Sequence, residues 1–176
     1  MLGAVRVTPE SLENLVINTA QQYGVDPNFV RATIKQESNW DVNASRYEQH
    51  LGDTSWGLMQ VLLKTAKMVL GNDQLTIQDL IKPEINIAAG TKYLGMLLNQ
   101  TGNQSDASAA YNAGSVKMKD GKYINQDYVD SVRRYYLMYQ TLGPAASLLV
   151  TQSNPMINIW ILGVALVVGI ALVSRR

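Results

Sequence analysis

The chain has 176 residues and a formal net charge of +1, from 15 Lys and Arg against 14 Asp and Glu, and it contains no cysteine. That length suits one compact domain plus an appendage and is too short for two ordinary domains. The near-neutral balance excludes the basic field that nucleic-acid binding demands, so a polymer held here is expected to be sugar rather than nucleic acid. Disulfide frameworks, thiol nucleophiles and thiolate metal sites are excluded outright.

Residues 1–10 lack the apolar run of a secretory signal, so ordinary signal-peptide export is not expected. Thr8 as N-cap and Pro9 at the first helical position open a helix with Leu12, Leu15, Val16 and Tyr23 at helical spacing, and Gly24 ends it. A second begins at Asp26 and Pro27, with a stripe of Phe29, Val30, Thr33 and Ile34 that continues to Glu37. A polar stretch from Asn39 to Ser55 follows. A third helical pattern starts near Gly57 (GLMQVLLKTAKMVL) and stops at Gly71. Thr76 caps a short helix limited by Pro83, and a longer one runs from Glu84 to Gln100 through Ile87, Leu94 and Leu97. Ser105 or Asp106 caps the segment holding Ala109, Ala110 and Tyr111, which ends at Gly114. An Asp-Gly turn between Lys117 and Tyr123 suits a small β-hairpin. The last domain helix carries Tyr128, Val129, Val132, Tyr135, Tyr136 and Tyr139.

The pattern predicts a mainly α domain over 1–142, a linker over 143–155, a transmembrane helix over 156–174 and a basic end at 175–176. The run MINIWILGVALVVGIALV is uncharged and about 18 residues long, near what a bilayer crossing needs. A lipid bilayer is therefore an expected partner. With Arg175 and Arg176 kept in the cytoplasm, the domain would face the wall side of a bacterial inner membrane.

Glu37 lies one turn beyond Val30, Thr33 and Ile34, so it shares their apolar face. Desolvation there would raise its pKa toward that of a general acid at neutral pH. The spacing equally suits a glutamate at a solvated helix end, and Trp40 nearby suits either an apolar wall or a platform for a sugar ring.

Three segments in order resemble the soluble lytic transglycosylase family of the lysozyme-like superfamily: Glu37-Ser38-Asn39-Trp40, Gly57-Leu58-Met59-Gln60, and Ala110-Tyr111-Asn112-Ala113-Gly114. Echoes at Asn86-Ile87, Gly90, Tyr93-Leu94 and Tyr128-Val129 extend the likeness over roughly residues 8–140. The resemblance implies a lysozyme-like transglycosylase fold with a glycan cleft, and peptidoglycan as the partner. It implies that Glu37 alone protonates the oxygen between N-acetylmuramic acid and N-acetylglucosamine, then deprotonates the muramoyl 6-hydroxyl, leaving a 1,6-anhydro end. Such chemistry stands among the exceptions to the two-carboxylate scheme. It implies further that Ser38 orients the glutamate or the sugar, that Gln60 hydrogen-bonds substrate, and that Tyr111, Asn112 and Tyr128 line the cleft. The chain departs from the family at Val42, Arg46, Leu62 and Leu63, and its stretch from Arg46 to Ser55 is longer than in many relatives.

His50 is the only histidine, so neither a catalytic triad nor a metal site is expected, and no cofactor. Two other functions compete. A hydrolytic muramidase would use Asp41, Glu48 or Asp53 to position water, and a wall-binding protein would keep the fold without chemistry, for which an intact Glu37 is unneeded. The expected setting is local wall opening during genome entry from a phage or virus particle, the alternative being a subunit of a bacterial secretion or conjugation system. Other proteins of either assembly would be partners.

Overall fold

The computed structural model describes residues 9–152, with side chains from 10 to 142. In chain order the elements are α1 (Pro9–Tyr23), α2 (Pro27–Ser38), β1 (Ser45–Glu48), β2 (Asp53–Trp56), β3 (Val61–Leu62), α3 (Leu63–Leu70), α4 (Ile77–Leu80), α5 (Pro83–Thr101), α6 (Gln104–Ala113), β4 (Met118–Lys119), β5 (Lys122–Tyr123) and α7 (Gln126–Gln152).

Helix α2 starts where the sequence says it should. The Asp26 carboxylate accepts from the Asn28 N–H at 2.8 Å, with Pro27 at the first helical position. Its second oxygen accepts from the Tyr136 hydroxyl at 2.8 Å, so one cap also ties α2 to α7. The buried stripe of α2, with Phe29, Val30 and Ile34, meets Val132 and Tyr139 of α7 in a core shared with Ile87 and Leu94 of α5. Thr76 closes a capping box with Asp79 at the start of α4. Helix α6 is capped by Asn103, whose side chain accepts from the Asp106 N–H at 2.8 Å, rather than by Ser105 or Asp106.

Two stretches differ from expectation. The stretch from Asn39 to Ser55, expected only to be polar, holds β1 and most of β2, which pair antiparallel with Arg46 opposite Ser55 and continue to β3 in a three-stranded sheet. The helix expected from Gly57 begins at Leu63 instead, because Gly57 (φ +72°) and Gln60 (φ +46°) take left-handed conformations that break it. The small hairpin is present. Met118 pairs with Tyr123, and both Asp120 and Gly121 have positive φ, as a two-residue Asp-Gly turn requires.

The transmembrane part of the expected fold class is corrected: among the described residues no helix is long and apolar enough to cross a membrane. The longest, α7, carries Asp127, Asp130, Arg133 and Arg134, charges that lipid does not tolerate. Residues 156–174, to which that helix was assigned, lie outside the described residues. Helix α7 itself continues to Gln152, so residues 143–152, expected in the linker, are helical.

Candidate active site

Glu37 occupies the last turn of α2, and its side chain is only 5% exposed. The helix is stopped immediately after it. Asn39 (φ +52°) and Trp40 (φ +67°) both take the left-handed conformation, a strained pair for residues with side chains. Trp40 is held there by its indole N–H, which donates to the buried Tyr139 hydroxyl at 2.9 Å. The reversal sends the chain into β1, so the sheet faces the end of the helix that carries the carboxyl.

The segment from Gly57 to Gln60 is fixed from four sides. Its first residue cannot carry a side chain, because a Cβ on Gly57 would lie 2.5 Å from Asn86 Nδ2. The fully buried Asn86 side chain donates to Trp56 O at 2.7 Å and Leu80 O at 3.1 Å, and its Oδ1 accepts from the Met59 N–H at 2.8 Å. Ser38 Oγ lies 2.8 Å from Leu58 O, and the Tyr111 hydroxyl donates to Met59 O at 2.9 Å. Gly90 lets α5 approach so closely that a Cβ there would meet Met59 Sδ at 2.5 Å. The Gln60 amide donates to Gly57 O at 2.9 Å and Ala44 O at 3.1 Å, joining this segment to the start of β1.

A cleft of about 620 Å³ opens between the β1–β2 hairpin and the β4–β5 hairpin, with Glu37 in its wall. The Tyr128 hydroxyl donates to Glu37 Oε1 at 2.7 Å, and Arg46 Nη2 lies 3.9 Å from Oε2. Burial pushes the Glu37 carboxyl up to about 7; the Tyr128 hydrogen bond and the Arg46 charge oppose burial without cancelling it, and the Glu48 charge adds to the rise. Burial, and next the charge of Glu37, raise the hydroxyls of Tyr111 and Tyr128 well above their usual range, so both remain donors. The arrangement is an acid still partly protonated near neutral pH, oriented by one phenol and open to a groove.

Of the six expected site residues, Glu37, Gln60, Tyr111 and Asn112 line the cleft. Tyr128 stands behind Glu37, and Ser38 bonds backbone rather than facing the groove. Of the three further acids weighed, Glu48 alone lines the cleft; Asp41 and Asp53 are turned to the backbone N–H groups of Asn43 and Thr54. Sequence reasoning missed Arg46, whose Nε donates to Glu48 Oε1 at 2.8 Å. It also missed Asn125, whose Nδ2 donates to Asn112 Oδ1 at 2.9 Å while its own buried Oδ1 has no partner among the described residues. The i, i+2 spacing of Arg46 and Glu48 was the available signal, since it puts both on one face if the segment is a strand. Tyr93 stacks at a tilt on Tyr111, with ring centroids 5.4 Å apart.

Comparison with known proteins gives a consistent result. A family model described as the transglycosylase SLT domain matches residues 14–132. The chain is 32% identical over 129 residues to the soluble lytic murein transglycosylase of Salmonella typhimurium, covering 70% of this chain and 19% of that protein. It is 33% identical over 114 residues to the membrane-bound lytic murein transglycosylase C of Sodalis glossinidius, covering 57% of this chain and 30% of that one. Among solved structures, an inactive Glu-to-Gln mutant of the lytic transglycosylase Slt from Pseudomonas aeruginosa superposes with a TM-score of 0.60 at 28% identity, over 72% of this chain and 23% of that one. The chain thus spans less than a third of the length of each of these proteins.

Proposed function

The chain belongs to the transglycosylase SLT domain family, and from that premise we propose that it is a lytic transglycosylase cleaving the β-1,4 bond between N-acetylmuramic acid and N-acetylglucosamine in peptidoglycan, with Glu37 as its acid and base. The observation that carries this reading is a carboxyl 5% exposed, titrating at about 7, hydrogen-bonded to Tyr128 and set in the wall of a glycan-sized cleft. Protonated Glu37 gives its proton to the glycosidic oxygen, and the C1–O bond breaks. The muramoyl acetamido group steadies the charge at C1. Glu37, now a carboxylate, takes the proton of the 6-hydroxyl, which closes onto C1 as a 1,6-anhydro ring. The Tyr128 hydrogen bond strengthens as Glu37 ionises, favouring the proton's departure.

Tyr111 and Asn112 are proposed to meet the glycan from the cleft wall, and Ser38, Gln60 and Tyr128 to position Glu37 and the Gly57–Gln60 segment. The reading is supported by relatives named as murein transglycosylases, one soluble and one membrane-bound. As the setting we propose local opening of the wall, during genome entry from a virus particle or in a secretion or conjugation apparatus. Mass spectrometry of purified particles would find the chain in the first case. For the chemistry, Glu37→Gln is expected to lower wall lysis by roughly 10³-fold while glycan binding persists. Equal lysis by the variant and the wild type would overturn the assignment.

A further inference from the structure

Glu48 stands out among the cleft's side chains that the mechanism above does not use. It closes β1, two residues from Arg46, and their side chains share one face of the strand. Its Oε1 accepts from Arg46 Nε at 2.8 Å and lies 3.0 Å from Ser55 Oγ on the paired strand. Its Oε2 takes no hydrogen bond among the described residues, and the side chain lines the same cleft as Glu37. One guanidinium reaches both carboxyls, so their oxygens are no more than about 9 Å apart along that bridge, inside the upper limit of about 9.5 Å for two carboxyls that act on one anomeric carbon through a water.

We propose that Glu48 is a second working carboxylate of this cleft, activating a water molecule and diverting part of the cleavage to hydrolysis. The inference rests on the reading of Glu37 as the acid. The two environments divide the roles: burial leaves part of the Glu37 population protonated near neutral pH, whereas at Glu48 a smaller burial effect is outweighed by the bonds from Arg46 and Ser55, and its pKa is lowered. In the hydrolytic branch Glu37 again protonates the leaving oxygen and the C1–O bond breaks. The water oxygen bonds to C1, and its proton passes to Glu48 Oε2. Glu48 then releases that proton to solvent while Glu37 takes one up, so the balance is one water consumed and one reducing end formed. Closure by the 6-hydroxyl consumes none, and the two ends differ by the mass of a water.

The test is digestion of purified glycan strands by the full chain, with the ends separated by mass. The wild type is expected to give both anhydro and reducing ends. Glu48→Gln is expected to lower the ratio of reducing to anhydro ends at least about tenfold, and Glu48→Asp, which keeps the charge, to restore part of it. Anhydro ends alone from the wild type, or an unchanged ratio in Glu48→Gln, would refute the proposal. Its failure is distinct from failure of the Glu37 reading, which would appear as both products persisting in Glu37→Gln.

Discussion

At Glu37, the acid proposed for this cleft, the requirements of that chemistry and of folding pull in opposite directions. The carboxyl titrates at 4.5 when unperturbed and at about 7 in the fold, because burial outweighs the Tyr128 hydrogen bond and the Arg46 charge. The folded state therefore holds the proton more tightly than the unfolded state does. Stability from this group is complete below about pH 4.5, falls as pH rises toward 7, and is flat beyond. The loss amounts to about 3 kcal/mol. Glu37→Gln keeps the shape and the Tyr128 contact but removes the titration. Thermal unfolding is accordingly expected to show the variant gaining on the wild type between pH 4 and pH 8, with the difference largest at the alkaline end. An offset that is the same at both pH values would show that Glu37 is not the buried titrating group.

At the scale of elements, the segment between the sheet and α3 decides whether the cleft has a floor. It is short, contains two left-handed residues, and depends on one amide from α5 for much of its fixation. Asn86→Ala would leave the Met59 N–H and two carbonyls without partners in a buried site. The expected cost is about 3 kcal/mol in urea unfolding, with wall lysis lost more steeply on warming than in the wild type. A variant as stable as the wild type would mean that water or a shifted backbone replaces the amide. The helices around this segment were legible because their signals are local: Asp26-Pro27, Thr76 with Asp79, and the Asp-Gly turn each state their geometry within four residues. Strands β1 and β2 were not. Four residues such as Ser-Arg-Tyr-Glu show no apolar alternation, and what makes them strands is pairing with each other and the Gly57 N–H bonding Ala44 O at 2.7 Å.

At the scale of the molecule, α2 is the axis against which α1 and α7 pack, and it carries a buried charge in its middle. Arg31 is 3% exposed, pairs with Glu13 of α1 and donates to Asn28 Oδ1 at 2.7 Å. Removing one partner strands the other in the core. Glu13→Ala is expected to lower unfolding free energy by about 3–5 kcal/mol, while the double change Glu13→Leu with Arg31→Met should recover most of it, since apolar packing needs no desolvation of charge. Urea titration of the two variants distinguishes these outcomes. Equal destabilisation in both would mean that the pair fixes the α1–α2 geometry in a way packing cannot replace.

The sequence by itself determined the helical class, most of the helix starts, the small hairpin, and the motif order that names the family, because capping, periodicity and short motifs are properties of neighbours along the chain. It also put Glu37 on an apolar stripe, without deciding between a solvated helix end and a buried acid. Only the tertiary structure decided that, by closing Tyr128 from α7 and Arg46 from β1 over a carboxyl 91 and 9 residues away along the chain. The same holds for Ser38 and Gln60, whose side chains the fold commits to holding backbone, and for Glu48, which reaches the cleft through a strand pairing. Electrostatic environment and cleft shape arise from segments distant in sequence, and no local pattern encodes them.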